Sequence, residues 1–403
     1  MNVLVLQETD WLTRGPHTQH HVFERISKSS NIKISVIDYD IDKIMHSKSI
    51  FIKKQIFTNI NRALDISNVK IIRTAHIQVP YLRRITSLIT NFYEMVKLFR
   101  KNRPDVIIGF SLTNGIIGLV LSKLYSIPYV FYYIDLLHTL VPVHYAKKIA
   151  AIFSRFLFKK SDQVIVVTKS LQKYVINEGV KSENVKVLLN GISLENTKVN
   201  KEKLELLKQK YLRSDDEFVI FFMGYLYDFA GLKEIIDYYN IKVKNGQLKL
   251  RFIIVGDGGI YSSLVNYVKE LQADWVVLTG RIPFFDITEY IELADLCLMS
   301  FDLNDVTKEI TPVKIMEYMA MKKPVLSNSL PGVVNEIGKN NGVLFAKNQS
   351  ELIKKIGLLS KSKESLKEIG QKGFKLIKKY YIWPKILKKF KRILIDVIKS
   401  KNM

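Results

Sequence analysis

The chain has 403 residues, enough for two or three domains at ~150 residues each. Its 47% hydrophobic and 25% charged residues, with 19 Gly and 10 Pro, exclude a disordered, collagen-like or mini-protein chain. One cysteine, Cys297, excludes an internal disulfide or a cysteine-based zinc site and fits a reducing compartment. The opening MNVLVLQETDW lacks the basic start and long apolar stretch of a signal peptide, so a cytoplasmic location is expected. The net charge of +24 calls for an anionic partner, whether nucleic acid, an anionic membrane surface or a phosphate-bearing small molecule, unless it only records a lysine-biased genome.

In chain order, short apolar runs read as strands: VLVLQ at the start, then Ile32–Asp38, Val69–Ala75, VIIGF from Val106, IPYVFYYI, Gln163–Thr168 and Val185–Asn190. The uncharged stretch Val106–Ser122 approaches the length of a membrane span. It nevertheless reads as a buried strand, a polar Ser-Leu-Thr-Asn-Gly break and a helix, because parallel strands covered on both faces are continuously apolar. After a polar stretch to about Asp216 a second series begins: Phe218–Gly224, Leu250–Gly256, Trp275–Gly280, Asp295–Ser300 and Pro324–Asn328. Strands alternating with amphipathic helices predict an α/β fold of two Rossmann-like domains with a cleft between them. The boundaries fall at 1–191 for the first domain, 192–216 for a linker, 217–380 for the second domain and 381–403 for a C-terminal helix. That helix puts Ile386, Leu387, Phe390, Ile393, Leu394 and Val397 on one face, which suits packing more than membrane binding.

Ligands in such sheets bind at the carboxyl ends of strands. In DVTKEITPVKIMEYMAMKKPV, Glu309 lies in a polar loop and Glu317 one turn into a helix beginning near Pro312. A helix start offers unpaired N–H groups and a positive dipole end to a diphosphate without a metal. Glu317 suits a ribose diol, and Lys314 between the carboxylates suits phosphate charge. On this segment alone, a helix cap at Glu309 and a surface ion pair at Glu317 explain the residues better.

The segment PVKIMEYMAMKKPV resembles the signature of the type-4 family of retaining glycosyltransferases, which have the GT-B fold and carry Glu, seven residues, Glu before a Met-Ala and a Pro-Val pair. Further segments match in order: SDQVIVVTKSLQKYVINEGVKSENVKVLLNGIS, FFMGYL, IIVGDGG, LTGRIP, ADLCLMSFD, and Tyr381-Ile382-Trp383 at the start of a helix that crosses back to the first domain. The resemblance spans almost the whole chain. It implies that Glu309 supports the reacting centre, Glu317 holds the ribose, and Arg281 and Ile282 contact the base. Gly224 opens the donor loop, and Gly15 lets backbone approach donor or acceptor. Asp135 and His138 match the place where the family positions sugar hydroxyls.

Two departures stand out. The family's Arg and Lys in the glycine loop are missing from Gly224-Tyr225-Leu226-Tyr227-Asp228-Phe229-Ala230-Gly231, so Lys314, Arg281 or Lys233 must face the diphosphate, and Lys314 is the one assigned. Lys322 stands where a glycine is usual. Asp38-Tyr39-Asp40 resembles a metal-binding Asp-x-Asp, but it follows only the second strand with no matching pattern downstream. His17, His20 and His21 suit sugar or phosphate contact better than zinc. Tyr81–Arg103 and Tyr145–Lys160 mix Lys and Arg with apolar residues at helical spacing, as on anionic membranes, and core-packed helices with basic outer faces fit equally.

The expected function is a retaining, metal-independent hexosyltransferase with no cofactor beyond a UDP- or GDP-linked sugar. It would act on a glycan or lipid-linked acceptor in polysaccharide, glycolipid or glycoprotein glycan synthesis, as a peripheral enzyme on the cytoplasmic face. Nucleic acid is not an expected partner, because the basic residues are dispersed and no known module is present. The alternatives are a nucleotide-sugar epimerase, which would turn over donor without acceptor, and a degenerate binding subunit, which would bind donor without transfer.

Overall fold

The computed structural model describes residues 1–13, 15–39, 49–79, 82–137, 144–308, 310 and 312–402. The chain divides into two compact units, Met1–Leu189 with Ile386–Met403, and Asn190–Lys385. In the first unit the elements are β1 (Asn2–Leu6), α1 (Thr18–Ser27), β2 (Lys33–Asp38), β3 (Phe51–Ile52), β4 (Gln55–Phe57), β5 (Val69–Arg73), β6 (His76–Ile77) and α2 (Leu82–Lys101). They continue with β7 (Val106–Gly109), α3 (Thr113–Leu124), β8 (Tyr129–Tyr133), α4 (His144–Lys160), β9 (Gln163–Val166), α5 (Lys169–Asn177) and β10 (Val185–Val187).

These strands form a sheet ordered β10-β9-β8-β7-β1-β2-β5-β4. Its members are parallel except β4, which runs antiparallel to β5, while β3 and β6 make a separate two-stranded antiparallel sheet. Strands β7, β8 and β9 are buried at every position, as their unbroken apolar runs require. On one face the core joins Leu4, Leu6 and Tyr129 to Met95 and Phe99 of α2, Leu119 of α3 and Phe158 of α4. The stretch from Val106 is a strand followed by a helix, and no described helix is long and apolar enough to cross a membrane.

The second unit contains α6 (Lys201–Tyr211), β11 (Phe218–Met223), α7 (Leu232–Lys244), β12 (Leu250–Val255), α8 (Tyr261–Glu270), β13 (Val276–Gly280), α9 (Ile287–Leu293) and β14 (Leu296–Met299). There follow α10 (Val313–Ala320), β15 (Val325–Asn328), α11 (Pro331–Ile337), β16 (Val343–Ala346), α12 (Gln349–Leu359), α13 (Lys363–Tyr380) and α14 (Trp383–Asn402). Its sheet is parallel throughout, ordered β13-β12-β11-β14-β15-β16. The strand order reverses between β11 and β14, the place where a doubly wound sheet opens a crevice at its carboxyl edge.

Residues 192–216, read from sequence as a linker, belong to the second unit. Their helix α6 packs on α9, and Asn200 N–H donates to Glu289 at 2.9 Å. The unit is closed by two crossing segments: Ile192 bridges Ile382, and a Cβ on Gly191 would come within 2.4 Å of the Trp383 ring. From Ile386 onward α14 belongs to the first unit. It buries Ile386, Phe390, Ile393, Leu394 and Val397, with Leu387 half-buried, and Phe390 lies 6.0 Å from the Phe23 ring, so the apolar face of this helix packs in the core. The sequence reading misses β3, β4 and β6, each three residues or fewer and too short for a periodic signal, and it also misses β16.

Candidate functional site

The site grows from the end of β11. Gly224 follows the strand with φ +128°, and its N–H donates to the Val255 carbonyl at 2.9 Å. A Cβ on Gly256 would lie 2.0 Å from the Gly224 carbonyl oxygen, so the loops after β11 and β12 touch backbone to backbone and leave no room for side chains between them. The loop beyond Gly224 is aromatic where the sequence resemblance leads one to expect cations. Tyr227 stacks on Phe229 with ring centres 4.7 Å apart, and Phe229 meets Phe301 edge-on at 5.3 Å.

Helix α10 supplies the charges. Pro312 caps it, its missing N–H costing nothing at a helix start, and Lys314 and Glu317 occupy its first turn and a half. Lys314 Nζ sits 4.2 Å from the Phe222 ring centre and 4.6 Å from that of Phe301, and only 2.9 Å from where a Cβ on Gly224 would be. The lysine therefore spans to the mouth of the glycine loop 90 positions earlier in the chain, filling space that only glycine leaves open. Burial pushes its pKa down to about 7 against the pull of Glu317, and burial pushes Glu317 up to about 7 against the pull of Lys314. Both remain partly accessible at the surface, yet neither side chain has a hydrogen bond or ion pair with another protein group among the described residues. A desolvated cation and carboxylate with no hydrogen bond or ion pair among the described residues, at a strand end, suit a ligand carrying both negative charge and hydroxyls.

Several residues that sequence reasoning passes over hold this arrangement. The Tyr318 hydroxyl accepts from Met223 N–H at 3.0 Å, tying α10 to the last residue of β11. Asn328 Nδ2 donates to the Phe301 carbonyl and to Gln349 Oε1, each at 3.0 Å, and Gln349 Nε2 donates to the Gly231 carbonyl at 2.8 Å. Tyr318 stands next to Glu317 and could be suspected from that adjacency. Asn328 and Gln349 carry no local signal.

The other expected residues are distributed as follows. Arg281 is exposed and Ile282 half-buried just past β13, and Arg281 makes no hydrogen bond or ion pair among the described residues. Lys233 is engaged elsewhere, its Nζ 4.3 Å from the Tyr267 ring centre, which leaves Lys314 as the cation at Gly224. Asp135 is exposed two residues beyond β8, and Gly15 takes φ +95°, both in the first unit. Glu309 and His138 lie outside the described residues.

His20, expected to touch sugar or phosphate, is fully buried instead. Its Nδ1 accepts from His17 N–H at 3.0 Å, and its Nε2 lies 3.1 Å from the Trp11 carbonyl, so both ring nitrogens are spent on the loop. A Cβ on Gly15 would come within 2.9 Å of that ring, a local reason for glycine there. Burial holds His20 down to about 4, neutral under physiological conditions. Asp38, first of the Asp-x-Asp, is buried; it accepts from Arg73 Nε at 3.2 Å and from Trp11 N–H at 3.0 Å, and Arg73 also pairs with Asp10 at 2.7 Å. This makes Asp38 an anchor of the first loop in place of a metal ligand. Asp40 lies outside the described residues.

A separate crevice of about 680 Å³ opens at the amino edge of the second sheet, lined by Lys208, Arg213, Glu217, Asp295 and Lys363 among others. Each of these five already has an ion partner, which sets it apart from Lys314 and Glu317.

Two family profiles match the chain: "Glycosyltransferase Family 4" over residues 55–196 and "Glycosyl transferases group 1" over residues 203–376. An uncharacterized glycosyltransferase of Methanocaldococcus jannaschii is 22% identical over 59% of this chain, and the chain spans 59% of that relative's length. The capsular polysaccharide biosynthesis glycosyltransferase CapM of Staphylococcus aureus is 22% identical over 77% of this chain and 83% of its own. The crystal structure of Anabaena HepE in complex with UDP superposes with a TM-score of 0.74, covering 98% of this chain and 100% of that one at 16% identity, and so shares the fold. With both halves matched in order on two doubly wound units, the chain belongs to the group 1, family 4 glycosyltransferases of the GT-B fold.

Proposed function

We propose that this glycosyltransferase moves a hexose, with retention of anomeric configuration and without a metal, from a nucleoside-diphosphate sugar to a hydroxyl of a glycan or lipid-linked acceptor in cell-envelope polysaccharide synthesis. The observation that carries the reading is the meeting of Lys314 with Gly224 and Glu317 at the carboxyl edge of the second sheet, with neither charged group in an ion pair or hydrogen bond among the described residues. A donor diphosphate would take the charge of Lys314 and its ribose the carboxylate of Glu317, while Arg281 and Ile282 would border the base. Glu309 is assigned to the reacting centre on its spacing from Glu317 alone. In a retaining transfer the acceptor hydroxyl attacks from the face the diphosphate leaves, and the departing phosphate oxygen takes the proton, so no strong protein base is required. Polysaccharide synthesis is supported by the likeness to CapM, and a uridine donor by the UDP complex of HepE.

The test is calorimetric titration with UDP and with GDP in chelator, on the parent chain and on Glu317→Ala. Micromolar-range binding of one nucleotide, weakened at least about tenfold in the variant, is the expected result. Absence of binding by both nucleotides would refute the donor site. Appearance of the epimeric sugar from donor alone, without acceptor, would establish the epimerase.

A further inference from the structure

We propose that Tyr225, Tyr227 and Asp228, in the loop between β11 and α7, form a subsite that stacks one pyranose ring of the transfer reaction, either the hexose of the donor or a sugar unit of the acceptor. The loop turns its aliphatic residues inward and its rings outward. Leu226 and Ala230 are fully buried, whereas Tyr225 is 52% and Tyr227 42% exposed, with Asp228 exposed beside them and Phe229 half-buried. Backbone bonds fix this arrangement: Leu226 N–H donates to the Asp257 carbonyl at 2.8 Å, and the Leu226 carbonyl accepts from Ile260 N–H at 3.3 Å. The rings then make a ladder. Tyr225 and Tyr227 have ring centres 4.6 Å apart, Tyr227 stacks on Phe229, and Phe229 rests edge-on against the buried Phe301. A Cβ on Gly258 would come within 3.0 Å of the Tyr225 ring, so glycine in the loop after β12 makes room for the ladder.

The chemistry of the ladder selects its occupant. Residues 224–231 hold no Lys or Arg and a single carboxylate, Asp228. Aromatic faces are themselves negative, so a diphosphate is repelled along the ladder and drawn to Lys314 at its Gly224 end. Neither phenol nor the Asp228 carboxylate has a hydrogen bond or ion pair among the described residues, and a hydrocarbon chain laid across them would desolvate all three without compensation. A pyranose satisfies both conditions. Its C–H groups give the rings an apolar face, and its hydroxyls can donate to Asp228 and bond to the phenols. The subsite deepens the proposed function and rests on it, since a sugar seated beside Gly224 adjoins the lysine assigned to the donor diphosphate.

The experiment reads sugar and nucleotide separately on the full chain and on Tyr227→Ala, Tyr227→Phe and Asp228→Asn. In one arm, calorimetry compares UDP with UDP-glucose, UDP-galactose and UDP-N-acetylglucosamine. In the other, with UDP present, saturation-transfer NMR measures the binding of neutral hexose and N-acetylhexosamine trisaccharides. In the parent, a sugar should add at least about fivefold to UDP affinity in the first arm or bind in the millimolar range in the second, and the arm that responds names the source of the ring. Tyr227→Ala should weaken that sugar binding at least about fivefold and Asp228→Asn about threefold, with UDP affinity unchanged. Tyr227→Phe, which keeps the packing on Phe229, should lose less than about twofold. Sugar binding in Tyr227→Ala equal to that of the parent, or no sugar bound in either arm, would overturn the proposal. So would a Tyr227→Ala variant whose affinity for UDP itself falls, which would place the base or the diphosphate on the ladder. Because UDP is titrated by itself, loss of the sugar result leaves the donor site standing, whereas a parent that binds no nucleotide refutes the donor site and the subsite with it.

Discussion

Replacing Lys314 by methionine separates a ligand-binding lysine from a structural one by the sign of two effects. In the free protein burial holds this lysine down to about 7, far below its ordinary 10.5, so keeping the cation there costs on the order of several kcal/mol at about 1.36 kcal/mol per tenfold change in acidity. Part of that returns through relaxation of the surrounding protein and water, so the unliganded variant should be more stable at pH 7 by roughly 2–4 kcal/mol. The linkage has a definite direction. Between pH 7 and 10.5 the unfolded chain binds more protons than the folded one, so parent stability rises across that window and the advantage of the variant shrinks over the same range. Donor binding moves the other way: losing the cation should cost about 2–4 kcal/mol, or a roughly 30- to 1,000-fold weaker UDP complex. In the parent chain, UDP affinity should fall as pH rises above 7, and titration at pH 8 in buffers of different ionisation enthalpy should register about one proton taken up per UDP. Urea denaturation and calorimetry read both effects. A variant that is less stable and binds UDP like the parent would refute the assignment, since that is how a structural lysine behaves.

Three further perturbations test other parts of the argument. Gly224→Ala places a Cβ 2.9 Å from Lys314 Nζ at φ +128°, so UDP affinity should drop at least about tenfold and stability by about 1–3 kcal/mol; an unchanged titration would count against the contact. Lys322, at φ +60° just past α10, pays for a left-handed backbone, and Lys322→Gly should stabilise the protein by about 0.5–1 kcal/mol in urea with UDP binding intact. A loss of stability instead would mean that the Lys322 contact with the Phe374 ring, 5.2 Å away, outweighs the strain. Asp38→Ala removes a carboxylate partner of the buried Arg73 and should cost about 3–5 kcal/mol in denaturant; a variant of normal stability whose activity depends on added Mn²⁺ would revive the metal reading.

The legible part of the fold is the part that repeats over a few residues. Apolar runs such as Phe218–Met223 and Leu250–Val255, separated by amphipathic helices, dictate a doubly wound architecture because strands buried on both faces must be continuously apolar. The interval between Glu309 and Glu317 and the position of Lys314 between them are likewise local, and they point to the start of α10. The antiparallel edge strand β4 is not legible, because a three-residue pairing carries no period.

What only the tertiary structure decides is which distant groups meet. Nothing near Gly224 in sequence announces Lys314, and the two come together because β11 and α10 are neighbours in space while lying 90 residues apart in the chain. The same holds for His20, whose ring looks available for a ligand until Trp11 and His17 claim both nitrogens. Periodicity in α2 and α4 announces amphipathic helices but not which apolar residues face the sheet. Packing settles that, burying Met95, Phe99 and Phe158 and leaving Ile85, Ile89 and Ile152 exposed. Residue spacing governs local geometry, whereas desolvation, which gives Lys314 and Glu317 their shared pKa near 7, depends on everything packed around them.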